Sequence, residues 1–69
     1  MAMTVTHETV FPLDIPIGAW VSTARGMYQV ADLVWLSDPD TVAVPVHTTY
    51  TSDVFFVDRH TKVPVTIDD

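Results

Sequence analysis

The stretch GAWVSTARGMYQVADLVWL, residues 18–36, decides the fold of this 69-residue chain. Aromatic and β-branched residues dominate it, and such residues favour a pleated, half-buried sheet. Gly26 stands between two apolar runs, where it can supply the positive φ of a tight hairpin turn. The stretch therefore predicts two antiparallel strands, residues 19–24 and 27–36, joined by a turn at residues 25–26.

The second of these strands does not alternate regularly. Gln29 and Asp32 are an odd number of positions apart, so strict alternation would place them on opposite faces. A β-bulge near Val30 would let both face solvent, and small barrels use bulges to turn corners. Beyond the bulge, Trp35 would point inwards and belong to the core. Trp20, early in the preceding strand, is predicted to be partly exposed.

A helix near residues 27–36 is the alternative, and it would make the chain an α+β protein. Met27, Val30, Ala31 and Val34 follow the i, i+3, i+4, i+7 spacing of one helix face. The density of Val, Tyr and Trp and the glycine at one end favour the strand.

The rest of the chain continues the same pattern of short strands and turns. Further candidate strands cover residues 4–14, 41–46, 54–58 and 63–67. Residues 37–40 form a turn signal around Pro39. Pro45 and Pro64 interrupt two strands and predict sheet edges or barrel corners, where a missing N–H is tolerated.

Short connections favour antiparallel neighbours, so we expect an all-β, five- to six-stranded antiparallel meander. Meanders of this length often close as SH3-like barrels, and this chain is similar to those in size and strand spacing. No linker or internal repeat appears, so residues 1–69 are predicted to form a single small β domain.

Charge and composition exclude several classes of partner. Nine acidic residues against three basic ones give a net charge of −6. Binding to nucleic acid needs clustered cations, so we expect no nucleic-acid ligand. The start has no secretory signal pattern and no apolar run reaches bilayer length, so we expect no membrane contact. With no cysteine either, a cytoplasmic location is the expectation.

The residues that could carry chemistry do not form a recognisable motif. No serine lies in a Gly-x-Ser-x-Gly context and no glycine-rich phosphate loop is present. His7, His47 and His60 could meet in space with Glu8 or Asp58, but their spacing fits no zinc motif. We therefore predict a non-enzymatic protein without a cofactor or a metal.

The aromatic residues are the best candidates for function. Adjacent Phe55 and Phe56 point to opposite faces of a strand, so one points outwards if the other is core. Exposed aromatic side chains anchor protein interfaces. The sequence predicts partner-binding residues at Trp20, Tyr50, Phe55 and Phe56.

A hydrophobic share of 48% is high for so small a domain and predicts apolar surface left over for contacts. The function expected is protein–protein contact, as a homo-oligomeric or assembly subunit. The alternative is a small acidic regulator or inhibitor that docks on one host protein, DNA mimicry included. The absence of Asn and the single Lys are typical of GC-rich coding sequence, such as that of a high-GC bacterium or its phage.

Overall fold

A computed structural model describes residues 4–23, 25–48 and 50–68 of the chain. Within these residues the chain forms seven β-strands and one turn of 3-10 helix at Pro12–Asp14. The strands are β1 Val5–Val10, β2 Trp20–Thr23, β3 Gly26–Val30, β4 Trp35–Asp38, β5 Thr41–His47, β6 Ser52–Asp58 and β7 Val63–Asp68.

All seven strands belong to one antiparallel sheet that curls into a half-barrel. The order across the sheet is β1, β7, β2, β3, β5, β6, and β4 pairs with β5 on the same side as β3. The predicted all-β class is confirmed. The topology is more than a meander, because the first and last strands pair with each other along their whole length.

The region of residues 27–36 differs from both expectations. The helix alternative is wrong, and the single long strand is in fact two short ones, which raises the count above five or six. β3 ends at Val30 and β4 begins at Trp35, so the irregularity near Val30 is a connection between strands instead of a bulge. The bulge lies later, between Leu36 and Asp38.

The core lies inside the curl and its centre is β5. Val42, Val44 and Val46 alternate along this strand and are almost fully buried. They pack with residues from the neighbouring strands and the segment before β2: Ile15, Ala19, Val21, Val30 and Val65. No polar or charged side chain of the described residues is buried, so burial of apolar surface provides the main stabilisation.

Pro45 and Pro64 lie on strands with neighbours on both sides, so the prediction of edge strands is wrong, while that of barrel corners stays a prediction. β5 pairs with β6 on one side and with β3 and β4 on the other. The Pro45 carbonyl accepts a hydrogen bond from the Ala31 N–H at 2.9 Å, so this residue faces the break between β3 and β4. No ladder donor is required at that break, which is why proline is tolerated there. Pro64 lies one residue beyond the last β2–β7 pair.

The two predicted turns form. Gly26 has a φ of +122° at the β2–β3 hairpin, where the Thr23 hydroxyl donates to its carbonyl at 2.8 Å. Ala24 lies outside the described residues. In the β4–β5 turn, the Asp38 carboxylate accepts from the Asp40 N–H at 2.8 Å.

The described residues contain no helix with the length and hydropathy that a bilayer crossing requires.

Candidate contact surface

Three neighbouring strands present an apolar row on the convex side of the sheet, opposite the core. Trp35 of β4 and Phe56 of β6 both pair with Ala43 of β5. Directly opposed residues share a face, so all three side chains project from the same side. We call this row, with the adjacent Pro45 and Val54, the outer aromatic face.

The central residue of the outer aromatic face is buried, whereas the two aromatic residues beside it are exposed. Ala43 is 0% exposed although it lies outside the core cluster, so its neighbours on the outer side cover it. Phe56 is 64% exposed and Trp35 is 47% exposed. The small, buried Ala43 thus lies between two large, exposed aromatic side chains, Trp35 and Phe56. Large, partly exposed aromatic groups around a dry centre are typical of interface anchors.

Carboxylates border one end of the outer aromatic face. In the next row of the sheet, Asp38 and Asp58 both pair with Thr41. Asp40 in the adjoining turn accepts from the His60 ring at 3.0 Å, with both side chains largely exposed. The hydrogen bond from the His60 backbone N–H to Asp58, followed by that from the Thr61 hydroxyl, lowers the pKa of the Asp58 carboxyl below its usual value. This border is therefore anionic at neutral pH.

An open groove of about 300 Å³ lies at the other end of the outer aromatic face. Asp32, Pro45, His47 and Asp53 are among its lining residues. Each of the two carboxylates accepts from the N–H of the residue that follows it, at 2.8 Å. Both carboxylates therefore hold local backbone donors at the rim of the groove.

The histidines do not come together as a metal site. His7 contacts the Thr66 hydroxyl at 3.2 Å, and His60 contacts Asp40. Among the residues that the structure describes, no group of three or more His, Cys, Asp or Glu side chains could hold a metal ion.

The four sequence-predicted contact residues lie in different environments. Phe56 projects from the outer face, whereas Phe55 points inwards, contacts the core cluster and stacks on Tyr28 with a centroid distance of 5.4 Å. The prediction that this pair is split between the two faces is confirmed. Tyr50 lies in the β5–β6 connection and is 94% exposed. The structure therefore does not gather these residues into one patch.

Trp20 is half-buried, as predicted, and lies on the outer side of the sheet, since its neighbour Val21 is core. Its partners across the sheet are Thr66 and Gln29, and the latter pairs in turn with His47. This tryptophan therefore stands in a polar row, apart from the outer aromatic face.

Trp35 is the main correction to the sequence analysis. We predicted that Trp35 belongs to the core, but the structure places it on β4, where all four residues are exposed. The physical reason is the break after Val30, which resets the alternation before β4 begins. Leu33, in the connection between β3 and β4, is also exposed.

Ala43 was not found by sequence reasoning, because an alanine within a valine-rich strand gives no separate signal. The alternation of Val42, Val44 and Val46 does place residue 43 on the opposite face, and that could have drawn attention to its small size. Searches against protein-family models, curated proteins and solved structures found no match to this chain.

Proposed function

We propose that this protein acts by protein–protein contact, as a homo-oligomeric or assembly subunit, and that the outer aromatic face is its contact surface. The observation that carries the proposal is the row in which Trp35 and Phe56 stand on either side of the buried Ala43. Monomeric proteins rarely leave contiguous large apolar groups exposed, and such patches usually mark interaction sites.

The proposed activity is non-enzymatic. Asp32 and Asp53 beside the open groove accept from backbone N–H groups, His7 contacts the Thr66 hydroxyl and His60 contacts Asp40. A cysteine-free chain suits a reducing compartment, so we assign the protein to the cytoplasm as part of the same proposal.

A second candidate is a small acidic regulator that docks on one other protein. The anionic border formed by Asp38, Asp40 and Asp58 beside the outer aromatic face favours it. A partner with Arg or Lys around an apolar centre would find complementary charge there, and cations are attracted to exposed aromatic rings. In this case the isolated protein would be a monomer.

Mass determination by light scattering over a range of concentrations separates the two candidates. The proposed function predicts a multiple of the 7.7 kDa chain mass. It further predicts that Trp35→Ala weakens association by about 30-fold, the effect of a hot spot worth about 2 kcal/mol. Trp20→Ala is the matched control, because that residue lies in the polar row. A Trp35→Ala protein that associates as strongly as the wild type would contradict the proposal.

A further inference from the structure

Strand β6 is an edge of the sheet that lacks the usual protection. Within the described residues it pairs only with β5, and its seven residues do so in unbroken register. Natural edge strands are blunted by prolines, lysines, bulges or short length. Two other described strands also pair on one side only: β4 is short and bulged, and β1 carries the charged Glu8 at its centre. The sequence of β6, SDVFFVD, contains none of these devices and has only an aspartate on each side of its apolar centre.

The direction of the free backbone groups follows from one hydrogen bond and the alternation along the strand. The Arg59 N–H donates to the Asp40 carbonyl at 2.8 Å, so residue 59 faces β5. Backbone groups alternate sides along a strand, so Phe55 and Val57 also face β5. Val54 and Phe56 therefore direct their N–H and C=O groups towards the open edge.

We propose that β6 pairs with β6 of a second copy of this chain, antiparallel and centred on Phe55. This inference rests on the proposed function, and it names both the partner and the register. Two-fold symmetry about an axis perpendicular to the sheet requires a residue to pair with its own copy, and Phe55 is the midpoint of Ser52–Asp58. All residues of the strand then pair, and Val54 exchanges backbone hydrogen bonds with Phe56 of the second copy.

This register joins apolar surface on both faces of the sheet. On the core side, Val44 pairs with Phe55, and Phe55 pairs in turn with Phe55 of the second copy. Each Phe55 ring is half-buried in its own chain, and the ring of the other copy covers its exposed part. On the outer side, Val54 of the second copy pairs with Phe56 and so extends the row formed by Trp35, Ala43 and Phe56. Cross-strand pairs that contain aromatic and β-branched residues stabilise a sheet by roughly 0.2–1 kcal/mol each.

The same register keeps like charges apart in a chain of net charge −6. Asp53 lies opposite Val57 of the second copy, and Asp58 lies opposite Ser52. A shift by one residue would set Asp53 opposite Asp58 and is excluded by the symmetry as well, because it would join the core side of one copy to the outer side of the other. Charge and symmetry therefore both exclude the one-residue shift, and pairing of all seven residues of β6 places the centre at Phe55.

Asp53 regulates access to this edge. Its carboxylate accepts from the Val54 N–H at 2.8 Å, and this N–H is one of the edge donors. The side chain must release that donor before the second strand can bind. Asp53→Ala removes both the competing acceptor and a negative charge, so we expect tighter self-association.

The first test uses sedimentation velocity on wild type, Val54→Pro and Val54→Thr. Proline removes an edge-facing donor, so we expect dimerisation to weaken about tenfold or more. Threonine keeps the N–H and the β-branched shape, so its dimerisation should change far less. Far-UV circular dichroism checks that both variants keep the wild-type fold.

The second test does not depend on the proline variant folding. In the proposed register Asp53 and Val57 of two copies form a non-hydrogen-bonded pair, with Cα atoms about 4.5 Å apart. That distance suits a disulfide. The double variant Asp53→Cys, Val57→Cys, in a chain without other cysteines, should oxidise to a covalent dimer at least about ten times faster than either single variant.

The outcomes separate this inference from the proposed function. A double variant that cross-links no faster than the single variants overturns the β6 pairing. If association is then still weakened by Trp35→Ala, the outer aromatic face stands as a contact surface and only the edge pairing fails. A wild type that stays monomeric at every concentration overturns self-pairing and leaves the second candidate, docking on another protein.

Discussion

Trp35 and Phe56 lie on two strands that do not pair with each other, yet both are in register with Ala43 on the strand between them. The two aromatic side chains therefore border one alanine on the outer side of the sheet. The immediate neighbours of that alanine along the chain, Val42 and Val44, point into the core. Strand β5 therefore directs alternate residues to the core and to the proposed contact surface.

This separation predicts different costs for truncation on the two faces. Trp35→Ala should lower the free energy of unfolding by about 1 kcal/mol, because the side chain is already about half exposed. Val44→Ala should cost about 2–3 kcal/mol, since it removes buried methyl groups and leaves a cavity. Urea denaturation midpoints measure both. Equal midpoints for the two variants would show that Trp35 is part of the core after all.

Phe55 and Phe56 offer the same comparison at adjacent positions. Phe55→Ala removes the stacking on Tyr28 and the packing against the core cluster, so we expect a loss of about 3 kcal/mol. Phe56→Ala should change the unfolding free energy by less than about 1 kcal/mol and should reduce association instead. Thermal unfolding and solution mass, measured on both variants, check the assignment; a reversed order of stabilities would contradict it.

The Asp58 carboxyl should titrate below its usual pKa of 3.8. The His60 backbone N–H contributes most to this shift and the Thr61 hydroxyl contributes next. Because the folded pKa is the lower one, the ionised carboxylate stabilises the fold above the unfolded pKa, and this contribution is lost as the pH falls through the folded value.

Carbon-detected NMR titration of the Asp58 carboxyl tests the direction of this shift. Thr61→Val should move the pKa upwards, while Thr9→Val, on the far strand β1, serves as the control. An unchanged pKa in the Thr61 variant would show that its hydroxyl does not hold the carboxylate.

The hairpin at Gly26 gives a prediction about the backbone alone. An added Cβ would meet no atom within 4 Å, so crowding is not the obstacle. The φ of +122° is strained for an L-residue, and Gly26→Ala should cost about 1–3 kcal/mol. D-alanine introduced by chemical synthesis prefers positive φ and should be neutral or stabilising. Equal destabilisation by both residues would indicate a hidden steric cause.

The sequence was sufficient to predict the fold class, the two turns and the split between Phe55 and Phe56, because these depend on local propensity and strict alternation. The position of Trp35 could not be derived, because it depends on where β3 ends and on which strand β4 then joins. The pairing of the two terminal strands is likewise set by contacts between distant parts of the chain. Ala43 gains its significance only from the residues that lie beside it across the sheet.

The most direct test of the central claim follows the two tryptophan indole N–H signals of the wild type by NMR during dilution. Both residues lie on the outer side of the sheet, but only Trp35 belongs to the outer aromatic face. We expect the Trp35 indole signal to shift with protein concentration while the Trp20 signal stays in place. A shift confined to Trp20, or no shift of Trp35 across the range in which the mass changes, would contradict the assignment of the contact surface.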